Sequence, residues 1–417
     1  MIKSMTKQLM AGAAMVLGLL QTASAQNQYS NWLYSGSIYV LTTPAGANLA
    51  ASAAETNFPL LVRLNTDFFN FSQAKTGGAD VRFAATNGIS LPYQIDEWST
   101  TNASLWVSVP TIKGNTTQEI KMFWGKADAT SESSGPAVFN SANGYVSVLH
   151  MSDPTRDEVG TLAPVNVGTT AGTGMIGPAR HFVPGQGVHV GQDIATFPTG
   201  DNPHSSGAWF RAGAANNTIL GWGIEQGQGK VVMQLASPPH INMDCYFSGG
   251  NVAGGSTLAL SQWYHVAHTY KNGEARLYVN GVQDGITTGG GAMNIPTPAR
   301  MYIGGWYDNY NFAGDLDEVR ISDVTRSADW VKMEYQNQNP LQTLSGTLVQ
   351  PGTNFSVSPP AVTLNEGATT NVTGQAGGAL KVYWVLKSGG QETVVSVDRL
   401  AYKIAASRVS GDQSFVL

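Results

Sequence analysis

One cysteine, Cys245, occurs in 417 residues, so no disulfide can form within the chain. Stability has to come from buried apolar area, which domains of this size supply. Cys245 lies in the strand-like run Met243-Asp244-Cys245-Tyr246-Phe247 and reads as a small buried hydrophobe rather than a reactive thiol. Charge is scarce too: 12% of the residues are charged, the formal net charge is −5 and the pI is about 5.8. No Lys/Arg cluster occurs, so nothing attracts a polyanion and nucleic acid is not an expected partner. Long apolar runs are missing as well. The stretch Leu9–Leu20 is shorter than the roughly 20 residues that cross a bilayer.

That stretch reads as the core of a secretory signal over residues 1–25. Lys3 and Lys7 precede it, and Ala23-Ser24-Ala25 gives a small-x-small cleavage site before Gln26. No cysteine follows the cut, so a lipid anchor is not expected, and no later stretch approaches membrane length. An exported location is expected, whether extracellular, at the cell surface or periplasmic.

What the chain has in quantity is glycine (48 residues) and short alternating segments. Trp263 to Asp284, WYHVAHTYKNGEARLYVNGVQD, sets the pattern. Asn272-Gly273 and Asn280-Gly281 tolerate φ > 0 at both turn positions, as type I′ hairpins require. Pairing across the first turn sets Tyr270 opposite Ala275, His268 opposite Leu277 and Val266 opposite Val279. That face is mostly apolar. The other, with His265, Ala267, Arg276 and Tyr278, is mixed and expected to be wetter, as in an antiparallel sandwich.

Residues 29–140 read as an N-terminal β-domain. The runs FPLLVRL, GADVRF, LPYQIDEW, LWVSVP and IKMFWG follow one another there. In this order they resemble a bacterial domain of unknown function (number 2341), over roughly Trp32 to Asn140. That family has no established activity. The resemblance implies an envelope or extracellular setting, often just ahead of a laminin-G-like domain. Residues 145–338 fit that second part. WYHVAHTYKNGEARLYVNG and AGDLDEVRIS are similar to the concanavalin A-like laminin-G superfamily, which implies a jelly roll of two sheets. Thr325 to Gln336 reads as a closing helix with Ser327 as N-cap and Asp329 in its positive first turn. Residues 339–353 read as a linker. Residues 354–417 resemble an incomplete immunoglobulin-like domain with Trp384 as its core tryptophan and Val362–Gly367 as one strand. The fold class is therefore all-β throughout. Function varies widely in such folds.

Few residues are candidates for chemistry. Strict alternation in Leu316–Ile321 puts Asp317 on one face with Val319 and Ile321, toward the core. A buried carboxylate needs a partner, which can be calcium, an arginine or backbone N–H groups. The loop Asp153–Glu158 can bring Asp157 near this strand and complete an oxygen site for calcium. No D-x-D-x-D-G loop accompanies it. Trp306, Tyr307, Asp308, Asn309 and Tyr310 form an aromatic, amide-rich loop suited to stacking on sugar faces and pairing with hydroxyls. The alternative is that these rings merely cover the sandwich edge. Trp222, between two glycines, is a further candidate. His265 and His268 point to opposite faces, and the other histidines are scattered singly, so no histidine metal set is expected.

No catalytic residues are assigned. Retaining glycosidases need two carboxylates about 5–5.5 Å apart, and the Glu-x-Asp-x-x-Glu run of jelly-roll glucanases does not occur. Asp315 and Asp317 share a face without a third acid. There is no G-x-S-x-G elbow. The expected role is non-catalytic binding or adhesion through the laminin-G-like domain, with a glycan or another cell-surface or extracellular polymer as partner. Two other roles stay open: a polysaccharide-active enzyme or its accessory module, and a structural envelope part of a larger, transport-type assembly.

Overall fold

A computed structural model describes residues 28–388, 390–406 and 414–416. The signal over residues 1–25 and the final Leu417 lie outside the described residues. Three β-sandwiches follow one another.

The first packs a four-stranded sheet (order Tyr34–Leu41, Thr117–Trp124, Arg82–Ala85, Ser90–Leu91) on a three-stranded one (Ala54–Asn65, Asn102–Lys113, Tyr93–Trp98). The central strand Asn102–Lys113 does not alternate in burial. Leu105, Trp106 and Val107 are all buried, because its second face is covered too. Trp106 stacks there on His150, from the second sandwich, with ring centroids 5.6 Å apart.

The second sandwich is the expected jelly roll. Its eight-stranded sheet runs Thr170–Thr173, Pro178–Phe182, Gly314–Ser322, His204–Ala212, Trp263–Lys271, Glu274–Val279 and Val282–Thr287, with Tyr145–Leu149 also paired to Gly314–Ser322. The seven-stranded sheet runs Val252–Ala253, Ile241–Asp244, Lys230–Leu235, Asn217–Gly223, Ala299–Ile303, Gly187–Ile194 and Val165–Val167. Asn272, Gly273, Asn280 and Gly281 all have positive φ, between 50° and 76°. The register is the expected one: Val266 faces Val279, His268 faces Leu277 and Tyr270 faces Ala275.

The face expected to be wetter is largely covered, with His265, Ala267 and Tyr278 buried and Arg276 half-exposed. The helix Ala328–Gln338 lies on it, with Val331 against Ala267 and Tyr278 and Tyr335 stacked on Trp209. Ser327 caps this helix by accepting from the Trp330 N–H (2.9 Å). Its other side serves the first sandwich: Trp330 meets Phe58, and Met333 joins that core. Asn337 clasps the Leu61 peptide at both ends (2.6 and 3.0 Å). Arg63 donates to the carbonyls of Asn337 and Gln338 at the helix C-terminus. One helix thus bonds two sandwiches together.

Residues 339–353 are not a free tether. Leu344 and Leu348 are buried in the first core. Their backbone follows the open edge of Tyr34–Leu41, with bonds from Leu41 N to Leu344 O, Gly346 N to Tyr39 O and Val349 N to Ser37 O. The third sandwich has two three-stranded sheets around the fully buried Trp384, with Val372 and Ile404 buried beside it. No strand forms over 362–367.

Candidate functional site

The two outer faces of the jelly roll differ in what they offer. On the seven-stranded sheet, alternation sends Ala299, Met301 and Ile303 into the core and Arg300 and Tyr302 outward. Gln234, Asn242 and Asp244 point outward by the same rule, between core residues Met233, Leu235, Ile241 and Met243. The chain then folds back over this outer face as a tiny hairpin, Gly305–Trp306 paired with Asn309–Tyr310. Tyr307 adopts φ 53° at its turn. The hairpin lies close because glycines lie beneath it: a Cβ on Gly221 would collide with Trp306, and one on Gly187 with Tyr310.

The result is an aromatic pad. Tyr307 stacks on Tyr302 (5.7 Å, 19°), and Trp306 meets both rings edge-on. The Arg300 guanidinium lies 5.1 Å from the Tyr307 ring centre. The Trp306 indole N–H donates to Glu225, whose own backbone N–H donates to the Tyr307 hydroxyl (3.1 Å). Lys230 completes the rim between Glu225 (3.0 Å) and Asp244 (2.9 Å). Of the five residues picked from the sequence, Trp306 and Tyr307 are half-buried, Asp308 and Asn309 are exposed, and Tyr310 is buried as support. They lie on a sheet face, not at the sandwich rim. Trp222 is excluded from any ligand role. It is fully buried in the core and donates to Ser206 (2.9 Å).

The acids expected to hold calcium do not meet. Glu318, at φ 51°, is an extra residue in the closing strand: Trp209 pairs with Asp317, but Gly207 already pairs with Arg320. This bulge breaks the alternation assumed from sequence. Leu316, Val319 and Ile321 enter the jelly-roll core, while Asp317 turns to the opposite face, toward the first sandwich. There its Oδ2 accepts from the N–H groups of Met175 (2.8 Å) and Ile176 (2.9 Å). Burial, with Glu318 adjacent, holds Asp317 well above the usual carboxylate range. Asp157 accepts from the N–H groups of Val148, Thr161 and Leu162 and so staples its own loop. Each acid accepts from its own set of backbone N–H groups.

A cluster that sequence reading missed lies beside Asp317. Ligand atoms of Asp96, His150 and Glu318 lie within 4.8 Å of one another. His150 bonds Glu318 through Nδ1 (2.7 Å) and Gln94 through Nε2 (3.3 Å). Arg320 takes the other Glu318 oxygen (2.7 Å) and also reaches Glu334 on the helix (3.1 Å). Burial alone would push the imidazole down, but Glu318 and Asp96 outweigh it and raise His150 to about 9. Burial raises Asp96 to about 6 against the pull of His150. Glu318 is brought below its ordinary range by His150 and Arg320, against its own burial. With both Glu318 oxygens taken by cationic donors, the cluster is an ion-pair network and a poor fit to a metal. No local signal betrays it, since Gln94 and Glu318 lie 56 and 168 residues from His150.

The remaining acid pair is also occupied. Asp315 binds Arg211 (2.8 Å) and His181 (2.9 Å). Among the described residues, no helix is long and apolar enough to cross a membrane.

Residues 184–332 match the concanavalin A-like lectin/glucanases superfamily, and residues 77–147 match a domain of unknown function, DUF2341. Both follow the order expected from the sequence. No curated protein matches the chain. Among solved structures, domain 4 of AbnA, a GH43 extracellular arabinanase from Geobacillus stearothermophilus, in complex with arabinotriose, is similar over 45% of this chain and 96% of its own, at 18% identity and a TM-score of 0.37. Native heptameric SAP-like pentraxin from Limulus polyphemus is similar over 34% of this chain and 73% of its own, at 17% identity and a TM-score of 0.29. The binding domain of Paraclostridial Mosquitocidal Protein 1 is similar over 56% of this chain and 63% of its own, at 13% identity and a TM-score of 0.38.

Proposed function

We propose that this chain, whose residues 184–332 match the concanavalin A-like lectin/glucanases superfamily, is an exported, non-catalytic binder of a glycan at the cell surface or in the extracellular matrix. The carrying observation is the pad of half-buried Trp306 and Tyr307 on the sheet face, backed by the buried Tyr302 ring. Ring faces of this kind stack on sugar C–H surfaces, while Asp308, Asn309, Asn242 and Gln234 offer donors and acceptors to hydroxyls. The pad is pre-organised. Glu225 fixes the Trp306 indole and the Tyr307 hydroxyl before a ligand arrives, which lowers the entropy cost of binding. Non-catalytic action is supported by the acids: Asp157 and Asp317 accept from backbone N–H groups, and Asp315 and Glu318 are each paired with an arginine and a histidine. A glycan array probed with the full chain tests the reading. Binding to a glycan class is expected, and Trp306→Ala should weaken that signal about tenfold or more. Release of reducing sugar from the same polysaccharide, lost in Asp315→Asn, would replace this reading with an enzymatic one.

A further inference from the structure

We infer that the first sandwich carries a second glycan site, for an uncharged polysaccharide, in the groove between Tyr34 and the Asp67–Gln73 loop. The groove has a volume of about 760 Å³ and is closed on one side by residues 348–351. That size lies within the usual range of ligand pockets, roughly 300–1,000 Å³.

Its floor is aromatic. Tyr34 stacks on the buried Trp124 (5.8 Å, 21°) and keeps 37% of its surface exposed. Gly125, at φ 86°, lets the tyrosine lie flat, because a Cβ there would run into its ring. One face of the ring is thereby packed on Trp124 and Gly125. A half-exposed aromatic held in this way is a platform for a sugar ring.

Three amides surround it, each with one half tied to the protein. Gln73 Oε1 accepts from the Trp124 indole (3.2 Å), which leaves its NH2 group unpaired. Asn70 Oδ1 accepts from the N–H and hydroxyl of Ser72 (3.1 and 2.8 Å), which leaves its NH2 likewise. Gln350 Nε2 donates to the carbonyls of Phe68 (2.5 Å) and Leu348 (3.1 Å), which leaves its Oε1 as an acceptor. Two fixed donors and a fixed acceptor around an aromatic floor match the alternating hydroxyls of a sugar chain.

The charge pattern narrows the class. No lysine or arginine lines the groove, and its one acid, Asp67, is occupied by Arg399 (3.1 Å) and the Leu400 N–H (3.0 Å). Nothing there rewards a uronate, sulfate or phosphate group, so the ligand is neutral. This site stands on a different domain from the Trp306 pad and does not depend on it.

The test uses the full chain and four neutral probes: cellopentaose, xylopentaose, mannopentaose and arabinopentaose, at up to millimolar concentration. Binding is read by calorimetry and by tryptophan fluorescence, which Trp124 reports directly. At least one probe should bind, and Tyr34→Ala should weaken it by about tenfold, the loss of one stacking contact. Gln73→Ala should weaken it severalfold with a slightly lowered melting temperature, since the Trp124 indole N–H loses its acceptor, and this keeps the test decisive if Tyr34→Ala fails to fold. Trp306→Ala should leave this binding event in place. No binding of any probe overturns the proposal, as does binding indifferent to both Tyr34→Ala and Gln73→Ala. Binding that falls only with Trp306→Ala overturns this site and upholds the jelly-roll one.

Discussion

The jelly roll presents two outer faces built from the same alternating strands, and they have opposite fates. The eight-stranded face carries His265, Asp317 and Arg320 and is sealed under the helix and the first sandwich. The seven-stranded face carries Arg300, Trp306 and Tyr307 over the buried Tyr302 and stays open. The covered face buries ion pairs as well as rings, whereas the open face keeps its ion pairs and part of its rings at the surface. The difference teaches what each face is for. Buried charges fix one docking geometry because an unpaired ion is expensive, whereas rings held at a surface retain contact area for a partner.

The sharpest way to break the contrast is to unpair the sealed face. Glu318→Ala leaves His150 and Arg320 buried without their carboxylate, and should cost about 3–5 kcal/mol in denaturant unfolding. The first and second sandwiches should then melt separately where the wild type melts them together.

Next in size is pH. His150 rises from 6.5 to about 9 on folding, so its contribution is complete below pH 6.5 and is lost as pH climbs through 9. That amounts to about 3 kcal/mol at about 1.4 kcal/mol per unit. Asp96, raised to about 6, works in the same sense at lower pH. The sealed histidines His204 (about 4), His265 and His268 (each about 3) are pushed down by burial. They oppose folding as pH falls below 6.5. His150→Gln should therefore remove the alkaline loss in a melting-temperature series, while the acid loss set by His204, His265 and His268 persists.

On the open face the effect is on binding. Trp306→Ala should shift the unfolding free energy by less than about 1 kcal/mol, while glycan affinity falls about tenfold or more. Ser327→Ala, which removes the cap of the covering helix, should cost about 1 kcal/mol by thermal melting. A chelator should change neither melting temperature nor glycan affinity, since Asp157 and Asp317 already bind backbone N–H groups.

Much of this architecture was legible because its causes are local. Two Asn-Gly turns fix their own φ, and alternation about them fixes the register. Ser327 announces a helix three residues ahead of the N–H it caps. The Trp306–Tyr310 segment announced an aromatic loop, though not that glycines 187 and 221 would draw it onto a sheet face. What escaped is non-local. The extra residue at Glu318 leaves no trace in LDEVRIS, yet it reassigns Asp317 from one side of the sheet to the other. His150 looked solitary because its partners come from other parts of the chain. Trp222 and Trp306 look alike in sequence, each beside a glycine, and only packing separates a core residue from a surface one.

The strip 339–350 along the edge of Tyr34–Leu41 has a mechanical consequence. The polypeptide leaves the first sandwich, makes the jelly roll, and returns to the first sandwich before the third begins. Tension between the first and third units therefore runs past the jelly roll, which hangs as a side branch. Under the proposed reading, a glycan held on the Trp306 pad sits on a branch outside this load path.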